Sequence, residues 1–138
     1  EYWDALDAKD WEGLRACLVE DFVFVNNTTG GRYEGREGMI ATMQAKFSDG
    51  VTSSHHGHHH WIDLIGDGTA VSHWALQDDL YDAGHGGEFV GRAHYDNAYV
   101  KIDGQWRFTK MSLTYLRGEA SIRKSSEDCA NAYKVFMM

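Results

Sequence analysis

Eight histidines among 138 residues mark where chemistry could reside, and five of them stand in one internal run, Ser54-His55-His56-Gly57-His58-His59-His60-Trp61. Imidazole exchanges protons near neutral pH, with an unperturbed pKa of ~6.5, and it is also the commonest transition-metal side-chain ligand. On a strand the run would alternate, placing His55 and His59 on one face and His56, His58 and His60 on the other. A His-x-His pair still lacks a third ligand, for which His73 or His94 is available. The expectation is therefore no resident metal: one histidine enters a cavity, and the others line a polar sheet face or a subunit contact. Asp78 and Asp79 alternate across a strand, so at most one of them joins the same chemistry. Asn97 shares a face with Ala93, Tyr95 and Tyr99, opposite His94, Asp96 and Ala98. It is a candidate substrate-binding residue, with the inward face left open by the pattern. Trp3, Phe24, Trp61, Trp74, Phe89, Tyr95, Tyr99, Trp106 and Tyr115 are numerous enough for some to wall a pocket for a flat substrate, with most of them ordinary core.

Other chemistry is disfavoured. Gly84, Gly86 and Gly87 around His85 read as a flexible turn and not a phosphate cradle, since no helix start follows. Cys17 and Cys129 lie far apart without metal-type spacing, which fits a reducing compartment. Thirteen basic against 21 acidic residues leave a net charge of −8, a field that repels nucleic acid and anionic lipid surfaces. No segment approaches the ~20 apolar residues that span a bilayer. The opening residues lack a basic region followed by an apolar one, so a cytoplasmic location is expected.

The elements that must position these groups are readable from periodicity. Tyr2, Trp3 and Leu6 read as the later part of a helix that begins before the first residue. Trp11, Leu14, Cys17 and Leu18, after Asp10 as N-cap, predict a helix near 11–19. Phe22 to Val25 form a short strand ahead of a Thr-Thr-Gly-Gly turn. Met39, Ile40, Met43 and Phe47 give the apolar stripe of a helix near 36–48. From Ser53 the pattern becomes four long strands near 53–65, 69–82, 88–102 and 105–117, separated by glycine-containing turns in hairpin order. Helices first and a curved antiparallel sheet second describe one segregated α+β domain.

Several phrases carry a family resemblance: Leu6-Asp7-Ala8-Lys9-Asp10-Trp11, Tyr33-Glu34-Gly35-Arg36-Glu37-Gly38, His55-His56-Gly57, Gly66-Asp67-Gly68-Thr69-Ala70 and Asp103-Gly104-Gln105-Trp106-Arg107-Phe108. With them the chain resembles the SnoaL-like branch of the nuclear-transport-factor-2-like superfamily, a cone-shaped α+β barrel. The resemblance spans about residues 1–118 and leaves 119–138 as a C-terminal extension of the same domain. Its spacing is most similar to the group of scytalone dehydratase, bile-acid 7α-dehydratase and lindane dehydrochlorinase.

That resemblance implies a catalytic dyad of Asp7, from the end of the first helix, and His55, from the first long strand. It adds Tyr2, five residues before Asp7, as a donor to a substrate carbonyl, and Asp78, 23 residues after His55, as a hydroxyl or proton partner. Arg117 would orient an anionic or carbonyl group at the barrel mouth. The implied activity is a cofactor-independent, dehydratase-like β-elimination on a hydrophobic cyclic or aromatic carbonyl compound. An isomerase or polyketide-type cyclase using the same dyad, and a non-catalytic ligand-binding or assembly module, are the alternatives. The implied partners are a small hydrophobic substrate and further copies of the chain, as a homodimer or homotrimer.

Overall fold

A computed structural model describes residues 1–122. The chain runs α1 (Tyr2–Ala8), α2 (Trp11–Ala16), β1 (Leu18–Asn26), β2 (Gly31–Glu34), α3 (Arg36–Lys46), β3 (Val51–Gly66), β4 (Thr69–Asp82), β5 (Gly87–Ile102) and β6 (Gln105–Ile122). The strands form one six-stranded sheet in the order β2-β1-β6-β5-β4-β3. Among the described strands only β1 and β6 pair in parallel; the other neighbours are antiparallel. The three described helices pack against this curved sheet, a segregated α+β architecture.

Local chemistry explains most boundaries. Lys9, with φ of 56°, closes α1 in the left-handed conformation. The Asp10 carboxylate accepts the Gly13 backbone N–H at 2.9 Å and so caps α2, satisfying one of the donors every helix start leaves free. Asp103 and Gly104, with φ of 51° and 79°, make the two-residue turn whose twist suits a β-hairpin. Leu14, Leu18, Phe22, Met39, Ile40 and Met111 are essentially inaccessible and form the centre of the core between helices and sheet.

Three local expectations are corrected. The second helix stops at Ala16, and Leu18 already belongs to β1. Leu14 and Leu18 both face the core, one from a helix and one from a strand, which mimics helical spacing. The four-residue edge strand β2 falls where only a turn was read, because it is too short to show alternation. The histidine run does not alternate throughout. Pairing passes from His58↔Ala75 to Trp61↔His73, and His59 has a φ of 49°. This bulge turns His60 away from the row of His56 and His58, and its ring stacks on Trp74 at 4.1 Å. Residues 123–138, most of the expected C-terminal extension, lie outside the described residues.

Candidate active site

The inward sheet face is the one bearing Ala93, Tyr95 and Asn97, all buried, and its partners across the strands include Asp78 and His55. Helix α1 is held over this face by an unusually close approach. A Cβ at Gly57 would lie 2.1 Å from the Trp3 ring, so only glycine lets that indole settle on β3. Trp3 in turn meets Trp74 edge-on at 5.5 Å. The docking brings Asp7, in the last turn of α1, onto β3.

There the Asp7 carboxylate collects three hydrogen bonds. Its Oδ1 accepts the Ser53 hydroxyl at 2.7 Å and lies 2.6 Å from His55 Nδ1, while Oδ2 accepts the His55 backbone N–H at 2.9 Å. Burial opposes the charge on Asp7. The bonds from Ser53 and His55 outweigh that opposition and hold the carboxyl below its ordinary value. An ionised carboxylate only accepts hydrogen bonds, so Nδ1 of the neutral ring carries the proton and Nε2 keeps its lone pair. The His55 side chain is 5% exposed and that of Asp7 25%.

His55 borders a small cavity of about 40 Å³ that Tyr2, Asp78, Tyr95 and Tyr115 also line. Asp78 sits opposite His55 in register on β4, is 2% exposed, and accepts the Tyr115 hydroxyl on Oδ2 at 2.5 Å. Room for that carboxylate comes from Gly91, where a Cβ would lie 1.9 Å from Asp78 Oδ1. Burial raises the phenol pKa of Tyr2, Tyr95 and Tyr115, with added contributions from Cys17 at Tyr2 and from the Asp78 hydrogen bond at Tyr115. All three stay protonated near neutral pH and can donate. Lys46, Leu80 and Tyr115 also line a second, open hollow of about 450 Å³, walled further by Phe89, Asn26 and Thr28. A larger hollow of about 790 Å³ opens on the other side of α1, beside Asp4, Asp10, Cys17 and Trp106. It contains no histidine, and burial raises the pKa of its thiol, so the smaller cavity is the candidate site.

Two expected substrate contacts fall elsewhere. Arg117 lies on the outer face, 74% exposed and paired with Glu119. The reason is a bulge: β5 and β6 pair as Ala93↔Tyr115 and then Arg92↔Arg117, so Leu116 is an extra residue that rotates Arg117 out of the row of Tyr115. Asn97 does face inward, but it borders Tyr99, 3.4 Å from its hydroxyl, and not the His55 cavity. Conversely, Ser53, Lys46 and the pairing of Tyr115 with Asp78 escaped the sequence reading. Tyr115 stood out only as one aromatic among many, because its partner is 37 residues away.

The outer face holds a second polar chain, in which His94 Nδ1 and His73 Nε2 are 2.8 Å apart and His73 Nδ1 lies 2.8 Å from Asp96. Among the described residues no group of three His, Cys, Asp or Glu is arranged to hold a metal ion, and no helix is long and apolar enough to cross a membrane.

The profile of the SnoaL-like domain matches residues 1–112. The chain belongs to that family. Similar solved structures include a putative scytalone dehydratase from Novosphingobium aromaticivorans DSM 12444, at 22% identity and a TM-score of 0.79 over 90% of this chain and 83% of that one. A type 2 hexachlorocyclohexane dehydrochlorinase, LinA, shares 16% identity with a TM-score of 0.76 over 87% and 81%. ActVI-ORFA from Streptomyces coelicolor shares 18% with a TM-score of 0.69 over 83% and 88%. At these identities the likeness is one of fold, and the SnoaL-like fold hosts more than one chemistry.

Proposed function

We propose that this SnoaL-like protein is a cofactor-independent lyase that removes water from a hydrophobic, cyclic or aromatic β-hydroxy carbonyl compound. The observation that carries this reading is the 2.6 Å approach of Asp7 to His55 beside a sheltered cavity. His55 Nε2 takes the carbon-bound proton next to the carbonyl, and that electron pair forms the new C=C bond as the β C–O bond breaks. Asp7 holds the Nδ1 proton and stabilises the imidazolium that results. Tyr2, lining the cavity as a protonated phenol, donates to the carbonyl oxygen as enolate charge develops. Asp78 receives the hydroxyl group, which departs as water with the proton returned by His55. The balance is one substrate to one unsaturated carbonyl and one water.

The test is a panel of cyclic β-hydroxy ketones, followed by the absorbance of the enone and by product mass. The wild type turns over at least one member, and His55→Ala lowers kcat by about two to four orders of magnitude. Full turnover by His55→Ala removes the reading. A product that keeps the mass of its substrate assigns the dyad to an isomerase. The proposal includes self-association through the outer sheet face, where Trp61 is 50% and Leu116 67% exposed. Light scattering on the purified chain reads a dimer or trimer, or refutes it with a monomer.

A further inference from the structure

The open hollow of about 450 Å³ has a polarity that the composition does not foretell. The chain carries a net charge of −8, yet none of the described residues lining this hollow is an acid, and Lys46, the last residue of α3, brings a cation to it. No carboxylate among the described residues pairs with Lys46; its Nζ lies 5.5 Å from the Phe47 ring centroid. The turn after β1 adds donors, because its side-chain acceptors are already in use. Asn26 Oδ1 accepts the backbone N–H groups of Thr28 and Thr29 at 3.0 and 3.2 Å, which leaves the amide NH₂ to donate. Thr28 Oγ1 accepts the Tyr115 N–H at 2.8 Å, and Thr29 Oγ1 the Gly31 N–H at 3.3 Å. Both hydroxyl protons and the Asn26 NH₂ therefore lack an acceptor among the described residues. Beside these donors the wall is apolar and flat. Phe89 meets Tyr115 edge to face with centroids 5.7 Å apart. At Gly118 a Cβ would lie 2.9 Å from the Phe89 ring, so glycine lets that ring settle on β6. An aromatic wall next to a cation and neutral donors, in a volume within the ~300–1,000 Å³ of small-molecule sites, suits a planar ring bearing an anionic oxygen group.

We propose that this hollow is a carboxylate-reading subsite: the ring lies against Phe89 and Tyr115, and Lys46, with the Thr28 and Thr29 hydroxyls, takes the carboxylate. One ammonium balances one charge, which favours a carboxylate over a doubly charged phosphate. Because Lys46, Leu80 and Tyr115 border both this hollow and the His55 cavity, the inference rests on the lyase reading and deepens it. The substrate class it names is a cyclic β-hydroxy carbonyl compound that also carries a carboxylate. Lys46 acts here as a specificity-determining residue, from an element to which the family resemblance assigns no role. The hollow is open and Lys46 exposed, so water and salt screen the charge and its effect on affinity is modest, about three- to tenfold.

The experiment is calorimetric titration of the folded protein with two planar probes of nearly equal shape, 2-naphthoate and its neutral amide, 2-naphthamide. At low salt the wild type binds 2-naphthoate about three- to tenfold more tightly, and the preference fades toward ~0.5 M salt while 2-naphthamide affinity holds. Lys46→Met abolishes the preference without weakening 2-naphthamide, and Lys46→Arg retains it. Lys101→Met removes the same charge from β5, where Lys101 lies over Trp106, and leaves the preference intact. Equal affinities in the wild type, or binding of neither probe, overturn the proposal without requiring any variant to fold. A preference that survives in Lys46→Met, or that Lys101→Met reduces as much, overturns it equally. A wild type that selects 2-naphthoate yet eliminates no hydroxy ketone keeps this inference and sinks the lyase reading; turnover without carboxylate selectivity does the reverse.

Discussion

Replacing Asp7 by asparagine tests the dyad with almost no change of shape. Of the two carboxylate oxygens, Oδ1 serves Ser53 and the His55 ring, and Oδ2 serves the His55 backbone N–H. An amide with its oxygen at the Oδ1 position would point its NH₂ at the backbone N–H, donor against donor. The opposite orientation keeps the backbone bond and points the NH₂ at Ser53 and the ring. The serine hydroxyl can rotate to accept. The imidazole can accept only by moving its proton from Nδ1 to Nε2. The second arrangement leaves no buried donor opposed, so the variant folds, losing about 1–2 kcal/mol for exchanging a charged acceptor for a neutral one and melting about 3–6 °C lower. Its imidazole, however, now presents an N–H to the cavity in place of a lone pair, and elimination slows by about three to four orders of magnitude. Long-range ¹H–¹⁵N correlation spectra of the ring nitrogens, recorded at alkaline pH where imidazoles are neutral, read the tautomer without any substrate. The expected result is Nδ1–H in the wild type and Nε2–H in Asp7→Asn. Finding the same tautomer in both, or Nε2–H in the wild type, would refute the reasoning.

Three further outcomes follow from the same geometry. The Asp7 carboxyl is held below its ordinary value by Ser53 and His55 against the effect of burial, so its stabilisation is complete above the unfolded value of ~4 and is lost as pH falls through the lower folded value. Urea unfolding should show a wild-type advantage over Asp7→Asn that shrinks as pH falls below about 4; an advantage that keeps growing below that pH contradicts the assignment. Gly57→Ala drives a methyl into the Trp3 ring, costs about 1–3 kcal/mol, and lifts α1 from β3, so the His55 ring signals should shift with it. Unchanged melting and spectra would show that this approach does not hold the helix. Arg117→Ala, on the solvent face beside Glu119, changes stability by less than about 0.5 kcal/mol and leaves turnover of the β-hydroxy ketone panel unaltered, whereas a marked loss of turnover would return Arg117 to the site.

Local sequence chemistry was enough for the order of the helices and of the long hairpins, but not for the short strand β2. Asp10 caps its helix through its own loop, Asp103-Gly104 turns its own hairpin, and Met39, Ile40 and Met43 mark one face of a single helix; each is a property of a few neighbouring residues. Family phrases narrowed the fold to the SnoaL-like domain and offered Asp7, His55, Tyr2, Asp78 and Arg117 as site candidates, of which Arg117 lies on the outer face. Tertiary pairing decided the rest. Whether a side chain faces in or out after a bulge depends on which residue of another strand it opposes, so neither the exit of Arg117 after Leu116 nor the turn of His60 onto Trp74 was visible in local alternation. The same holds for the contacts that shape the site. Tyr115 reaches Asp78, and Asp7 reaches His55, only because separate elements of the chain fold together at the points where Gly91 and Gly57 carry no side chain. Residue spacing encodes periodicity along one element; it does not encode the distance between two.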